Sequence, residues 1–231
     1  MHADRLRERL NALVDTTVLP YQNAVITDTH YPILGIRMGP LRALARQIAR
    51  EDWQSLLRPE SFESYEQVLV TGLAVAYAPV PFGQKAQALR TLLPHLDSWA
   101  MTDSIVPTLK PRREELEQVR GFALACLAAP EEYTVRFGVI LLLDYFLTPE
   151  ETDWTARQLT AIRDERYYVR MAVAWCLAEM AVHDPQRVLD ILREGKLDAF
   201  THQKTIRKMA ESRRISPQLL QQARQWKERK Q

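Results

Sequence analysis

The sequence predicts an all-α protein, a solenoid of stacked antiparallel helix pairs. Three observations carry that expectation. Apolar residues recur at three- and four-residue spacing in segment after segment. Glycine is scarce, with seven residues in 231, while good helix formers are abundant. And the block Tyr133-Thr134-Val135-Arg136 returns as Tyr167-Tyr168-Val169-Arg170, a shift of 34 residues. A helix pair repeating at that period cannot bury its apolar side alone, so neighbours stack and one helix of each pair lines a concave side.

The elements follow in order. Leu6, Leu10, Leu13 and Val14 predict a first amphipathic helix over 3–16. Pro20 is expected to end anything continuing past it, and 21–39 reads as irregular, with a turn at Asp28-Thr29-His30-Tyr31-Pro32. Pro40 opens a helix carrying Leu41, Leu44, Ala45 and Ile48. Helical segments then follow at about 51–57, 61–78, 83–93, 96–109, 114–129, 131–147, 150–163, 166–182, 185–194, 199–213 and 216–230. The separators are short and carry proline or charge, such as Pro79-Val80-Pro81, Pro149 and Asp184-Pro185. No segment reads as a strand. Under the 34-residue shift Val139 pairs with Val173, Leu143 with Leu177 and Phe146 with Met180. The pairs 61–93 and 96–129 fit the same spacing, so residues 1–231 are read as one α-solenoid repeat domain.

Composition excludes several classes. Apolar residues make up 46% and charged residues 26%, as in an ordinary globular chain. No apolar run is long enough to cross a membrane, and Met1–Arg5 lacks a signal-peptide core. Cys126 and Cys176 read as small buried hydrophobes in a reducing cytoplasm. The five histidines show no metal-ligand spacing, and no phosphate-binding glycine loop or serine elbow occurs. No metal or cofactor is therefore expected. The net charge of +2 is uneven: residues 201–231 hold nine Lys/Arg against two acids, while the rest is net negative. That points to an anionic partner at the C-terminal end, or to a solubilising helix.

The candidate chemistry lies in Leu96–Thr108 and in the repeats. Trp99 and Asp103 are four apart, hence one turn apart on one helix face. They are either a core aromatic beside a solvated carboxylate, or a charge held against an apolar wall facing a cation. Arg136 lies in a run so apolar that its charge needs a partner. Arg136 and Arg170 are alternatively inter-helix salt-bridging arginines of the repeat, and Trp175, in the slot of Leu141, is explained by packing alone.

Trp99-Ala100-Met101-Thr102-Asp103-Ser104-Ile105-Val106-Pro107-Thr108 resembles the signature of the AlkD-like DNA alkylation repair family, HEAT-like repeat DNA glycosylases. Leu34-Gly35-Ile36-Arg37 with Leu41-Arg42, the Arg136 segment, and Tyr167 through Trp175 match further blocks, as do Lys204–Lys208 and Ser212–Ile215. The chain carries Ala100 and Ala178 where the resemblance leads one to expect Asp and Arg, and residues 14–33 resemble a shortened branch. The resemblance implies hydrolysis of the N-glycosidic bond of N3- or N7-alkylated purines, without a base pocket. It makes Asp103, Trp99, Trp175 and Arg136 the catalytic set. Arg170, Lys204, Arg207, Lys208, Arg213 and Arg214 become contacts to the phosphate backbone of double-stranded DNA. A monomer is expected. The alternatives are a non-catalytic binder of DNA structures and a protein-interaction scaffold.

Overall fold

The computed structural model describes residues 3–226, with side chains from residue 5 onward. The expected basic residues Lys227, Arg229 and Lys230, and His2, lie outside the described residues. All regular structure among the described residues is helical. The chain falls into two compact units, Met1–Phe122 and Ala123–Gln231.

The first unit contains α1 (Ala3–Asn11), α2 (Leu19–Val25), α3 (Met38–Arg50), α4 (Tyr65–Tyr77), α5 (Phe82–Leu92) and α6 (Trp99–Ile105). Helix α7 (Leu116–Leu127) spans the boundary. Helix α4 is the centre: every residue from Tyr65 to Ala76 is buried, and α1, α3, α5 and α6 all pack on it. A helix buried on all sides is a core helix. The approach of α6 is close. A Cβ at Gly72 on α4 would lie 2.3 Å from Ile105 Cδ1, so glycine is what permits this spacing.

Two expectations near the N-terminus are corrected. The first helix ends at Asn11 rather than at 16, and Leu13 and Val14 lie in the turn that follows it. There the chain doubles back and Asp15 N donates to Gly35 O at 2.7 Å. Pro20 does not end a helix. It sits in the first turn of α2, where its missing N–H has no intrahelical partner to lose. The stretch expected to be irregular therefore begins as helix.

The second unit contains α8 (Glu132–Tyr145), α9 (Thr152–Ala161), α10 (Tyr167–His183), α11 (Pro185–Glu194), α12 (Ala199–Glu211) and α13 (Pro217–Arg224). Helices α8, α10 and α12 pack in succession, and so do α9, α11 and α13. Contacts of α10 with α9 and α11, and of α12 with α13, join the two rows. Packing of each helix on the next but one is the signature of stacked helix pairs, and the fold is an α-solenoid. Its ends are set chemically. Asp184 accepts from Arg187 N, Asp198 from Phe200 N and Thr201 N, and Ser216 from Leu219 N. Gly195, at φ +65°, closes α11 in the left-handed conformation.

Candidate functional site

Helix α6 is short, and its sequence divides it cleanly. Met101, Thr102 and Ile105 are buried, whereas Trp99, Ala100, Asp103 and Ser104 remain partly exposed. Both expected residues of this helix, Trp99 and Asp103, thus lie on its presented side. Asp103 is oriented locally. The Thr102 hydroxyl is 2.9 Å from Asp103 Oδ1 and 2.8 Å from the Trp99 carbonyl.

A seven-residue helix does not hold itself in place, and the loop before α3 anchors its start. Asp28 Oδ2 accepts the backbone N–H of Trp99 at 2.8 Å and Asp28 Oδ1 the hydroxyl of Ser98 at 3.0 Å. Ser98 in turn caps Ala100 N. Asp97 reaches the opposite way. It accepts from Thr29 Oγ1 and from His30 N at 2.8 Å, and lies 2.6 Å from His30 Nδ1. Each carboxylate therefore holds the backbone segment that carries the other. At the far end Arg42 of α3 donates to Tyr77 Oη at 3.1 Å and to Thr108 Oγ1 at 2.9 Å. Thr108 lies in the turn that directly follows α6.

Behind the loop, Glu66 is almost wholly buried on α4, and its carboxylate accepts from Leu34 N, Gly35 N and Ile36 N. Successive N–H groups cradling one anion compensate its desolvation. Gly35 holds φ +88°, and a side chain there would crowd Asp15 O. The neighbouring Tyr65 phenol is pushed well above its ordinary value, first by burial and then by the charges of Glu66, Asp28, Asp97 and Asp103. It stays a neutral phenol in a negative field.

In the second unit the repeat becomes a repeated contact. Arg136 is 5% exposed and donates to the Tyr168 carbonyl at 2.7 Å, while Glu132, one turn earlier, accepts Tyr168 N–H at 2.9 Å. One repeat on, Arg170 lies over the Phe200 ring at 4.3 Å, 3.7 Å from Asp198. Tyr133 meets Tyr168 at 5.7 Å, and Tyr167 meets Phe200 at the same separation. Both arginines thus fasten one helix of the row to the start of the next. Trp175 remains partly exposed on α10 between buried Ala174 and Cys176. Among the described residues, neither Trp99 nor Trp175 stacks on another ring or receives a cation.

The basic residues differ in how far they are engaged. Lys204 lies 5.3 Å from the Phe200 ring centre. Arg207 and Lys208 both pair with Glu211, whose carboxyl is held below its usual value mainly by Lys208. Arg214 pairs with Glu179, and Arg213 is exposed. No group of three or more metal-ligating side chains exists among the described residues.

The sequence singles out Trp99 and Asp103 but not Asp28, Asp97 and Arg42, which position their helix, nor Glu66, which holds the loop at 34–36. The signal available was slight: Asp-Ser ahead of an apolar run marks a helix start, but nothing local names a capping partner seventy positions away.

No curated protein and no solved structure gives a significant match to this chain. The profile of one family, described as DNA alkylation repair enzyme, matches residues 6–226, nearly the full length. An all-helical solenoid agrees with that match, and the chain belongs to the DNA alkylation repair enzyme family, with a role in DNA repair.

Proposed function

We propose that this protein binds double-stranded DNA and hydrolyses the N-glycosidic bond of N3- or N7-alkylated purines, with Asp103 as the central group. The observation that carries the reading is the division of α6: its packing side is buried, and Trp99 and Asp103 occupy the other. An alkylated purine already bears positive charge, so its bond to the sugar breaks with the electron pair leaving on the base. The deoxyribose is left as an oxocarbenium-like cation. A fixed carboxylate stabilises that cation and orients the water that adds to it. The Trp99 indole excludes bulk water beside the carboxylate, which strengthens the attraction. In the second unit Trp175 and the basic residues Arg170, Lys204, Arg207, Lys208, Arg213 and Arg214 supply DNA contacts.

The test is release of base from N7-methylated duplex DNA. Wild-type protein in excess should release 7-methylguanine, and Asp103→Asn should bind the same DNA without releasing it. DNA binding with no release by wild type removes the catalytic half.

One observation favours a second reading, a non-catalytic binder of DNA structures. Arg136 is enclosed and already engaged with the Tyr168 carbonyl. Binding without base release is the outcome that selects this reading.

A further inference from the structure

The second unit carries a surface on the solvent side of the Arg170 fastener that the α6 site does not account for. Tyr167, at the first turn of α10, is 48% exposed. Its ring meets Tyr168 at 5.0 Å and 89°, and Phe200 at 5.7 Å and 65°, both edge to face. Arg170, one turn along α10, lies over Phe200 and also lines a cleft of about 460 Å³. The cleft is open to solvent between the α9–α10 and α11–α12 connections, with Arg163 and Lys196 at its rim and Val173 and Leu197 in its wall. Its size falls within the roughly 300–1,000 Å³ of small-molecule sites. Of its acids, Asp164 is bound by Arg166, while Asp198, which caps α12 and lies 3.7 Å from Arg170, and Glu165 are exposed.

An exposed aromatic step flanked by cations is the chemistry that holds a base by its π-face and a backbone phosphate by charge. A base inside an intact duplex has no free face to offer. We propose that this face is a seat for an unpaired nucleotide of a DNA strand, its base on the Tyr167–Phe200 step and its phosphate toward Arg163 and Lys196. The partner is then DNA with a single-stranded segment at its end or at a gap. The inference rests on the DNA-binding reading above, and names the DNA form that reading leaves open.

The test compares a blunt duplex with the same duplex bearing a short single-stranded overhang that carries 2-aminopurine, by anisotropy and fluorescence. The overhang should raise affinity by about ten-fold, the worth of one stacked base, and its fluorescence should be quenched. Tyr167→Leu, at a half-exposed position, should abolish both effects and leave blunt-duplex affinity unchanged. Lys196→Gln should lower the salt dependence of binding for the overhang DNA alone. Equal affinity for the two DNAs, or an equal loss for both in either variant, overturns the inference and leaves duplex binding standing. Failure of the wild-type protein to bind either DNA removes both readings together.

Discussion

The Asp28 carboxylate accepts the backbone N–H of Trp99 at 2.8 Å, so the first N–H of the site helix is bound by a residue 71 positions earlier. A carboxylate at a helix start gains from the orphan N–H groups and from the helix dipole. Asp28→Ala should therefore destabilise the protein by about 1–2 kcal/mol. The melting temperature should fall by about 3–6 °C for a chain of this size. Asn caps nearly as well as Asp, so Asp28→Asn should recover most of the loss. Thermal unfolding of the two variants is the measurement, and an unchanged melting temperature in Asp28→Ala would show that the anchor carries no weight.

Asp103 is the position where charge and shape separate. Asn keeps the size of the side chain and one acceptor oxygen but removes the negative charge. A carboxylate about 4 Å from a developing cation contributes about 4 kcal/mol at an effective dielectric near 20. Asp103→Asn should then slow base release by roughly 10²–10³-fold. Its affinity for undamaged duplex should stay within about two-fold of wild type, because no phosphate contact is lost. Single-turnover kinetics at enzyme excess would measure the first quantity and anisotropy the second.

Helix existence was legible along the chain because it rests on local spacing. The period carried by Val169, Val173, Leu177 and Met180 says helix whatever surrounds it, and α10 is there. The 34-residue shift was legible for a related reason. Arg136 and Arg170 do the same mechanical work in consecutive repeats, so the same residues recur. Helix α2 escapes because none of its residues is buried, which leaves no apolar stripe to read, and because Pro20 reads as a stop. Of the candidate site, the four-residue spacing of Trp99 and Asp103 puts them on one helix face, and the family resemblance is what marks them out. Nothing marks out their support. Asp28 and Asp97 look like turn residues, and only the folded chain shows that each grips the segment bearing the other.

A pH dependence follows from Glu115, which accepts Phe82 N, Arg112 N and the Arg112 guanidinium. These hold its carboxyl at about 2, the guanidinium contributing most, against an ordinary value of 4.5. The folded value is depressed, so the stabilisation is complete above about pH 4.5 and lost as pH falls toward 2. Because Arg112 is largely exposed, solvent screening reduces the contribution to on the order of 2 kcal/mol. Urea unfolding between pH 6 and 3 should show stability falling more steeply for wild type than for Glu115→Gln. Parallel curves would mean that the unfolded chain holds this carboxyl equally low.

Arg136 decides between two roles that predict different slopes. As a fastener it donates to the Tyr168 carbonyl inside the second unit, beside Glu132, which binds the N–H of the same residue. Arg136→Met keeps the apolar stem and removes the donor, losing a hydrogen bond from a charged group to a part-buried carbonyl at about 1.5–3 kcal/mol. The melting temperature should fall accordingly, by several degrees. The dependence of DNA affinity on salt should be unchanged, since no counterion is released at a residue that meets no phosphate. A phosphate-binding arginine would behave in the opposite way: its loss would lower the slope of log affinity against log salt by about one and weaken all sequences alike. Melting curves with salt titrations on the same variant therefore assign Arg136 to the helix row or to the DNA. Its 5% exposure favours the row.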